Sequence, residues 1–171
     1  RFIVMAGLRY DYHNIFGSIW TPRAHIMYKP DEFTSIKATF GRGLRTPNIL
    51  AENSYLLASA ANFYVNGELL GKNPALLDDL KMEDSWNFGA NVNRKFEVFG
   101  RTLNINLDYY HTKFNDQVVV DNETAYNKVN FYNLDGDSYS NCYQIEVKYE
   151  LIPRLEATLA YRYNDVKTTI N

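Results

Sequence analysis

A chain of 171 residues that is 46% hydrophobic and 15% aromatic is too apolar to be disordered, and its 14 Tyr and 10 Phe favour strands over helices. Eighteen basic residues against twenty acidic ones leave a formal charge of -2, without the basic stripe that nucleic acid binding requires or the acidic tail of a solvating arm. The single cysteine, Cys142, excludes an intrachain disulfide, and the longest apolar run, Phe2 to Leu8, is too short for a transmembrane helix.

Period-two alternation of polar and apolar residues dominates the chain. The first half predicts strands near 2–12, 22–29 and 34–41. Stricter alternation follows: S-W-N-F-G-A-N-V-N from Ser85 predicts a strand over 85–96, and T-L-N-I-N-L-D-Y from Thr102 predicts one over 102–114. Y-Q-I-E-V-K-Y from Tyr143 predicts 138–149, and a weaker run predicts 155–165. The connections are 13–21, 30–33, 42–84, 97–101, 115–137 and 150–154, so long and short ones take turns. The short ones hold turn residues, as in Lys29-Pro30-Asp31-Glu32 and Phe99-Gly100-Arg101.

Loops sorted by length onto two rims are expected of an outer-membrane barrel, with short periplasmic turns and longer extracellular loops. The expected fold is therefore all-β, a segment of an antiparallel up-and-down transmembrane β-barrel in which every strand pairs with its sequence neighbour. Parallel pairing of any two strands would count against it. One face of the strands carries Trp86, Phe88, Val92, Leu103, Ile105, Leu107, Ile145, Val147 and Leu159. The other carries Asn87, Asn91, Asn93, Asn104, Asn106, Asp108, Gln144, Glu146 and Arg162. A membrane barrel turns the first set to lipid and the second to a wet lumen; a soluble sandwich does the reverse. Trp86 and Phe96 share parity and stand about 25 Å apart along the membrane normal, the height of the apolar band between two aromatic girdles.

Several passages resemble TonB-dependent receptors. Gly7-Leu8-Arg9-Tyr10-Asp11-Tyr12, with Thr21-Pro22-Arg23-Ala24, is similar to the family's "GxRYD…PR" hairpin. Tyr28-Lys29-Pro30 and the run Phe40 to Glu52 resemble "YKP…(S/T)xGxGFRAPxLxE", with Leu44 and Thr46 as departures. Asn73-Pro74-Ala75-Leu76 with Glu83-Asp84-Ser85-Trp86 resembles "NPxLxPExS", without the Pro before Glu83. Tyr109 to Val118 resembles "xxYxTxFKDxI", and Asn133-Leu134-Asp135 with Gln144-Ile145-Glu146 resembles "xNxxxxxxxGxE", with Tyr143 at the Gly position. The matches occur in family order along most of the chain. They imply one partial barrel domain over 1–171, from a barrel of about 22 strands with a plugged lumen. The plug, the remaining strands and the N-terminal region that meets the TonB complex are then expected outside these residues.

Function follows as an expectation: energy-coupled import, across the outer membrane, of an extracellular small molecule, with a metal chelate of the siderophore, haem or cobalamin class favoured. A passive porin or adhesin barrel and a soluble carbohydrate-binding β-sandwich stand as the alternatives. The partners expected are the bilayer, the TonB complex and the ligand, with no nucleic acid and no resident cofactor. No Ser/His/Asp set, paired catalytic carboxylates or phosphate-cradling Gly loop suggests an enzyme. His13, His25 and His111 fall in different hairpins without metal-ligand spacing. Asp135-Gly136-Asp137-Ser138 lacks the rest of a calcium loop, and Asn122-Glu123-Thr124 is a glycosylation sequon of no consequence in a bacterial loop.

The connection 42–84 is long enough to be functional. Arg42, Arg45, Asn53, Tyr55, Tyr64 and Asn66 are its candidate ligand-binding residues, because basic and aromatic groups grip an anionic chelate by charge-assisted hydrogen bonds and stacking. A short helix is expected within Ile49 to Ala61. Arg9, Asp11, Arg23, His25, Lys37, Glu146 and Arg162 are expected on the lumen wall, paired with one another or with the plug.

Overall fold

The computed structural model describes residues 1–123 and 127–169. Seven long strands form one sheet: β1 (Phe2–His13), β2 (Gly17–Tyr28), β3 (Thr34–Arg45), β6 (Glu83–Val98), β7 (Arg101–Asn115), β10 (Ser138–Ile152) and β11 (Leu155–Thr168). Four short strands lie in the connections: β4 (Asn62–Val65), β5 (Glu68–Leu69), β8 (Val118–Asp121) and β9 (Lys128–Asn133). The long strands pair in the order β1-β2-β3-β6-β7-β10-β11, antiparallel throughout, so each meets the next long strand in sequence. No helix is long and apolar enough to cross a membrane, among the residues described.

Two ladder rows show why alternation dictates the two faces. One row crosses all seven strands as Val4, Ile26, Ala38, Ala90, Tyr109, Tyr143 and Tyr163. The adjacent row is Met5, His25, Thr39, Gly89, Tyr110, Cys142 and Asn164, on the opposite face. Because side chains alternate with period two, every other row repeats this division. The first face stays open: Phe88, Val92, Leu107, Ile145 and Leu159 are all exposed large hydrophobics. It carries aromatic pairs at both ends, Phe2 on Tyr28 at 4.4 Å at one rim, Tyr10 on Trp20 at 4.6 Å and Tyr109 on Tyr143 at 5.0 Å toward the other.

The second face is held by amides. Asn91 Nδ2 donates to Asn106 Oδ1 at 2.8 Å and to Asp108 Oδ1 at 2.7 Å, and Asn93 Nδ2 donates to Asn104 Oδ1 at 2.8 Å. Asn87 Nδ2 donates to Thr112 Oγ1 at 2.7 Å. Gly89 has a structural reason here: a Cβ would lie 2.6 Å from Tyr110 Cε1 and also strike Thr39 Oγ1, so the Tyr110 ring occupies the space a side chain would need.

The short connections between β2 and β3, β6 and β7, and β10 and β11 share one rim, as expected. The reading of 13–21 as a long loop is corrected. β1 and β2 are joined by residues 14–16 alone, with Gly17 at φ +72° and the His13 ring accepting from Ile15 N at 3.2 Å. The misreading came from Pro22, which looks like a strand start because proline has no N–H for a ladder. The chain instead runs through it, paired to Leu8 of β1, and the β2–β3 ladder stops at Arg23–Gly41, one residue short of the proline.

A second correction concerns the two long connections. Residues 46–82 and 116–137 are not bare loops; they build a small sheet ordered β5-β4-β9-β8. Its centre pairs β4 with β9 in parallel, Phe63 opposite Val129 and Val65 opposite Phe131. Purely antiparallel pairing therefore holds for the wall and fails in the loops. Parallel pairing arises because the two segments come from different connections and meet through side-chain burial rather than through a hairpin. The expected helix within Ile49–Ala61 is broken as well: α1 (Ile49–Glu52) gives way to a 3-10 turn over Ser54–Ala58.

The buried apolar residues of the molecule collect in this body. Ile49, Leu56, Val65, Leu70, Leu76, Leu80, Val129 and Phe131 form one cluster, with Val65 and Phe131 fully buried. Among the described residues, the seven-stranded sheet contributes only Cys142 to the buried hydrophobics. The interior of this protein is in its loops.

Two outcomes follow, both measured in the full-length protein. Val92→Arg, in the middle of the open face, should cost about 2–4 kcal/mol of barrel stability in lipid, whereas Ala160→Arg, on the opposite face beside Glu146, should be near neutral in urea titrations. Phe131→Ala should cost about 3–5 kcal/mol within the loop body. Limited proteolysis should then open 46–82 and 116–137 together, leaving the heat-modifiable barrel intact.

Candidate functional site

The loop body stands on the rim through polar bonds at the ends of β3, β6 and β7. Arg42 and Asp84 form a bidentate pair, Nε to Oδ1 at 2.9 Å and Nη2 to Oδ2 at 3.0 Å. Such forks fix both partners in orientation as well as in distance. Arg42 also reaches Trp20 O at 3.4 Å and lies 5.5 Å above the Trp86 ring. Arg42 pairs with Trp86 across the ladder and so belongs to the open, aromatic face.

Arg45, one parity step on, belongs to the amide face. Its Nε donates to Glu83 Oε2, and its Nη2 lies 3.4 Å from Glu52 of α1. Glu83 Oε1 also accepts from Val118 N at 3.0 Å, joining the start of β8 to the wall. Asn133 completes the root: its Oδ1 accepts from Lys81 N at 2.8 Å, and its Nδ2 donates to Asp116 O at 2.6 Å and Lys81 O at 3.2 Å. Lys81 Nζ meets Asp116 at 3.1 Å.

The six residues singled out from sequence do not converge on one pocket. Arg45 lines an inner-face cleft of about 340 Å³ with Glu83, Ser85, Phe114 and Gln117. Arg42 stands between a cleft of about 400 Å³ beside Trp20 and Asp79 and another of about 290 Å³ beside Arg23. Asn53, Tyr55, Tyr64 and Asn66 line none of these three. Asn53 Nδ2 donates to Ile49 O at 2.9 Å and closes α1. Tyr64 holds the Lys128 ammonium 4.4 Å from its ring. Asn66, at φ +50°, and Gly67, at φ +84°, form the β4–β5 hairpin turn, the geometry for which Asn-Gly is favoured. Tyr55 is 66% exposed, and neither its side chain nor that of Asn66 has a partner among the described residues.

Sequence reasoning missed Glu83, Asp84, Lys81, Asp116 and Asn133. The strand runs on through Glu83-Asp84, but three polar residues in a row, Glu83-Asp84-Ser85, break the alternation and read as loop. The wall residues lie where expected. Arg9 pairs with Asp11 at 2.7 Å, Glu146 with Lys148 at 3.4 Å, and Arg162 Nε reaches Cys142 Sγ at 3.1 Å. His25 lies in the amide-face row, His13 caps its own turn, and His111 shares a 2.7 Å bond with Asn141 on the aromatic face. Among the described residues no three His, Cys, Asp or Glu side chains converge as metal ligands would. Ser138, at the end of the Asp135-Gly136-Asp137-Ser138 run, is buried against Gln117 Oε1 at 2.7 Å, which makes that run structural. The sequon's Thr124 lies outside the described residues.

Known proteins share this architecture. The family model TonB dependent receptor-like, beta-barrel matches residues 1–171. The ferrienterobactin receptor of Escherichia coli (strain K12) is 32% identical over 94 residues, covering 50% of this chain and 11% of that protein. A mutant ferric enterobactin receptor, PfeA, of Pseudomonas aeruginosa superposes with a TM-score of 0.68 at 18% identity, over 95% of this chain and 24% of that one. The siderophore receptor PirA of the same organism gives 0.61 at 22% identity, over 95% and 28%. The present chain thus spans about a quarter of the solved receptors it resembles, and at these identities the likeness is one of fold. With a seven-strand meander, an apolar face left open, a polar face within and a family match along its whole length, the chain belongs to the β-barrel family of TonB-dependent receptors.

Proposed function

We propose that the chain is the loop-bearing wall of an outer-membrane receptor that captures a ferric siderophore outside the cell and imports it with energy relayed by TonB. The observation that carries this is the folded loop body mounted at one rim of an inside-out sheet, in a chain whose family consists of transport receptors. A passive pore needs an open lumen, which a loop body with its own core standing at the rim does not serve. The solved relatives are siderophore receptors, two of the structures being complexes with enterobactin. The outer edges of β1 and β11 are closed, in this reading, by the remaining strands of the barrel, which also encloses a plug.

The six candidate residues take different roles. Arg42, Arg45 and Asn53 position the loop body, since their polar groups are already engaged. Tyr64 serves with them, held by Lys128. Tyr55 and Asn66 offer free side chains at the extracellular surface and are the contacts for ligand.

Iron-limited cells carrying the full-length receptor should accumulate radiolabelled ferric siderophore, and should lose this when TonB is removed. Uptake that survives the loss of TonB would favour a passive channel. Tyr55→Ala should weaken siderophore binding by about threefold to tenfold with the barrel unchanged. For Arg45, the charge swap Arg45→Glu with Glu83→Arg should restore the loop's protease resistance and the affinity that Arg45→Glu alone removes. A folded swap variant that still fails to bind would make Arg45 a ligand contact.

A further inference from the structure

The two loops that crown this segment are a poor place to hold an anion. Residues 46–82 and 116–137 contain nine acidic side chains and only Lys72, Lys81 and Lys128 as basic ones. Arg42 and Arg45, at the root, are already matched by Asp84 and Glu83. Unsatisfied donors lie instead below the rim, on the inner face of β1 and β2.

There the β2–β3 ladder ends at Arg23–Gly41, and the strands part beneath the loop body. A cleft of about 290 Å³ occupies the gap, lined by Thr21, Arg23 and the Arg9–Asp11 ion pair, in which the cleft's one carboxylate is already taken up by Arg9, with Gly43 of β3 adding no side chain to its floor. Arg9, Thr21 and Arg23 are contiguous. Arg9 is the ladder partner of Thr21, and Arg23 follows Thr21 by two positions on the same face. Of the inner-face arginines, Arg9, Arg45 and Arg162 have partners, whereas Arg23 meets no carboxylate, ring or hydrogen-bond acceptor among the described residues. Thr21 is only 8% exposed, and its Oγ1 is buried with no hydrogen-bond partner. A buried hydroxyl without a partner is rare because it gives up its bond to water and gains nothing in return. An arginine fork and a hydroxyl side by side offer several N–H and O–H donors to an absent acceptor, and a planar oxyanion satisfies that set.

We propose that Arg23 and Thr21, flanked by Arg9, form an oxyanion-binding subsite on the lumen wall. The oxyanion has two sources: an acidic chelate on its way through the barrel, or a carboxylate of the protein body that fills the lumen. The first source rests on the import reading above; the second does not.

The test uses full-length receptor in detergent, with Arg23→Gln, Arg23→Lys and Thr21→Val. Binding is measured by tryptophan quenching with two probes, a trianionic ferric tris-catecholate and a neutral ferric tris-hydroxamate. If the chelate is the oxyanion, Arg23→Gln weakens the catecholate about tenfold or more, Thr21→Val weakens it by less, and the hydroxamate is unaffected. If a lumenal carboxylate is the oxyanion, both affinities hold, but Arg23→Gln lowers the receptor's Tm by several degrees and Arg23→Lys restores most of it. That second arm is read from Tm alone, so it tests the subsite independently of the import reading. Arg23→Gln changing neither catecholate affinity nor Tm overturns the proposal.

Discussion

Hydrocarbon offers no water to a peptide group, so each N–H and C=O of a membrane-spanning strand must be satisfied by the strand beside it. The long strands meet this demand through antiparallel ladders, each joined to the next in sequence. Once the ladder is obligatory, the pleat assigns every residue to one of two faces, and the faces no longer resemble those of a soluble sheet. The ring-bearing rows with Phe88, Tyr109 and Tyr143 lie open on one side, and the Asn91, Asn106 and Asp108 amide network lies on the other. Packing, which organises soluble domains, is displaced to the rim, where Val65 and Phe131 are enclosed in a small core of their own.

Where the ladder lapses, the structure does something else. Pro22 sits where β2 and β3 stop pairing early, and the gap above Arg23–Gly41 is bridged by the Arg42 side chain reaching Trp20 O rather than by backbone. The same gap exposes the inner cleft with Thr21 and Arg23. The rim is otherwise stitched by charge: Arg45 to Glu83, Glu83 to Val118, Lys81 to Asp116 and Asn133 to both connections. The loop body is thereby a rigid attachment whose two segments stand or fall together.

Much of the wall was legible because alternation is a local signal. Ser85–Asn93 and Tyr143–Tyr149 lie within strands on the faces expected of them, and the turns at Pro30, Gly100 and Pro153 mark one rim. What escaped was non-local or ran against a local rule. Gly17–Thr21 was hidden because a proline follows it. β4 and β9 pair in parallel across more than sixty intervening residues, which no window of sequence reveals. The roles of Arg42 and Arg45 depended on carboxylates that sequence places about forty positions away. Asn66 looked like a binding residue, and its backbone shows it to be a turn residue first.

The account rests on which face of the wall meets lipid, and spin-label accessibility measures that directly. Full-length receptor, with Cys142 replaced by serine, is reconstituted in bilayers and labelled at single cysteines along 86–92 of β6. The account predicts a period of two: labels at 86, 88, 90 and 92 collide with oxygen dissolved in lipid, and labels at 87 and 91 collide with a water-soluble nickel chelate, Gly89 being left unlabelled because Tyr110 fills its side-chain space. The opposite phase, or no period at all, would contradict it.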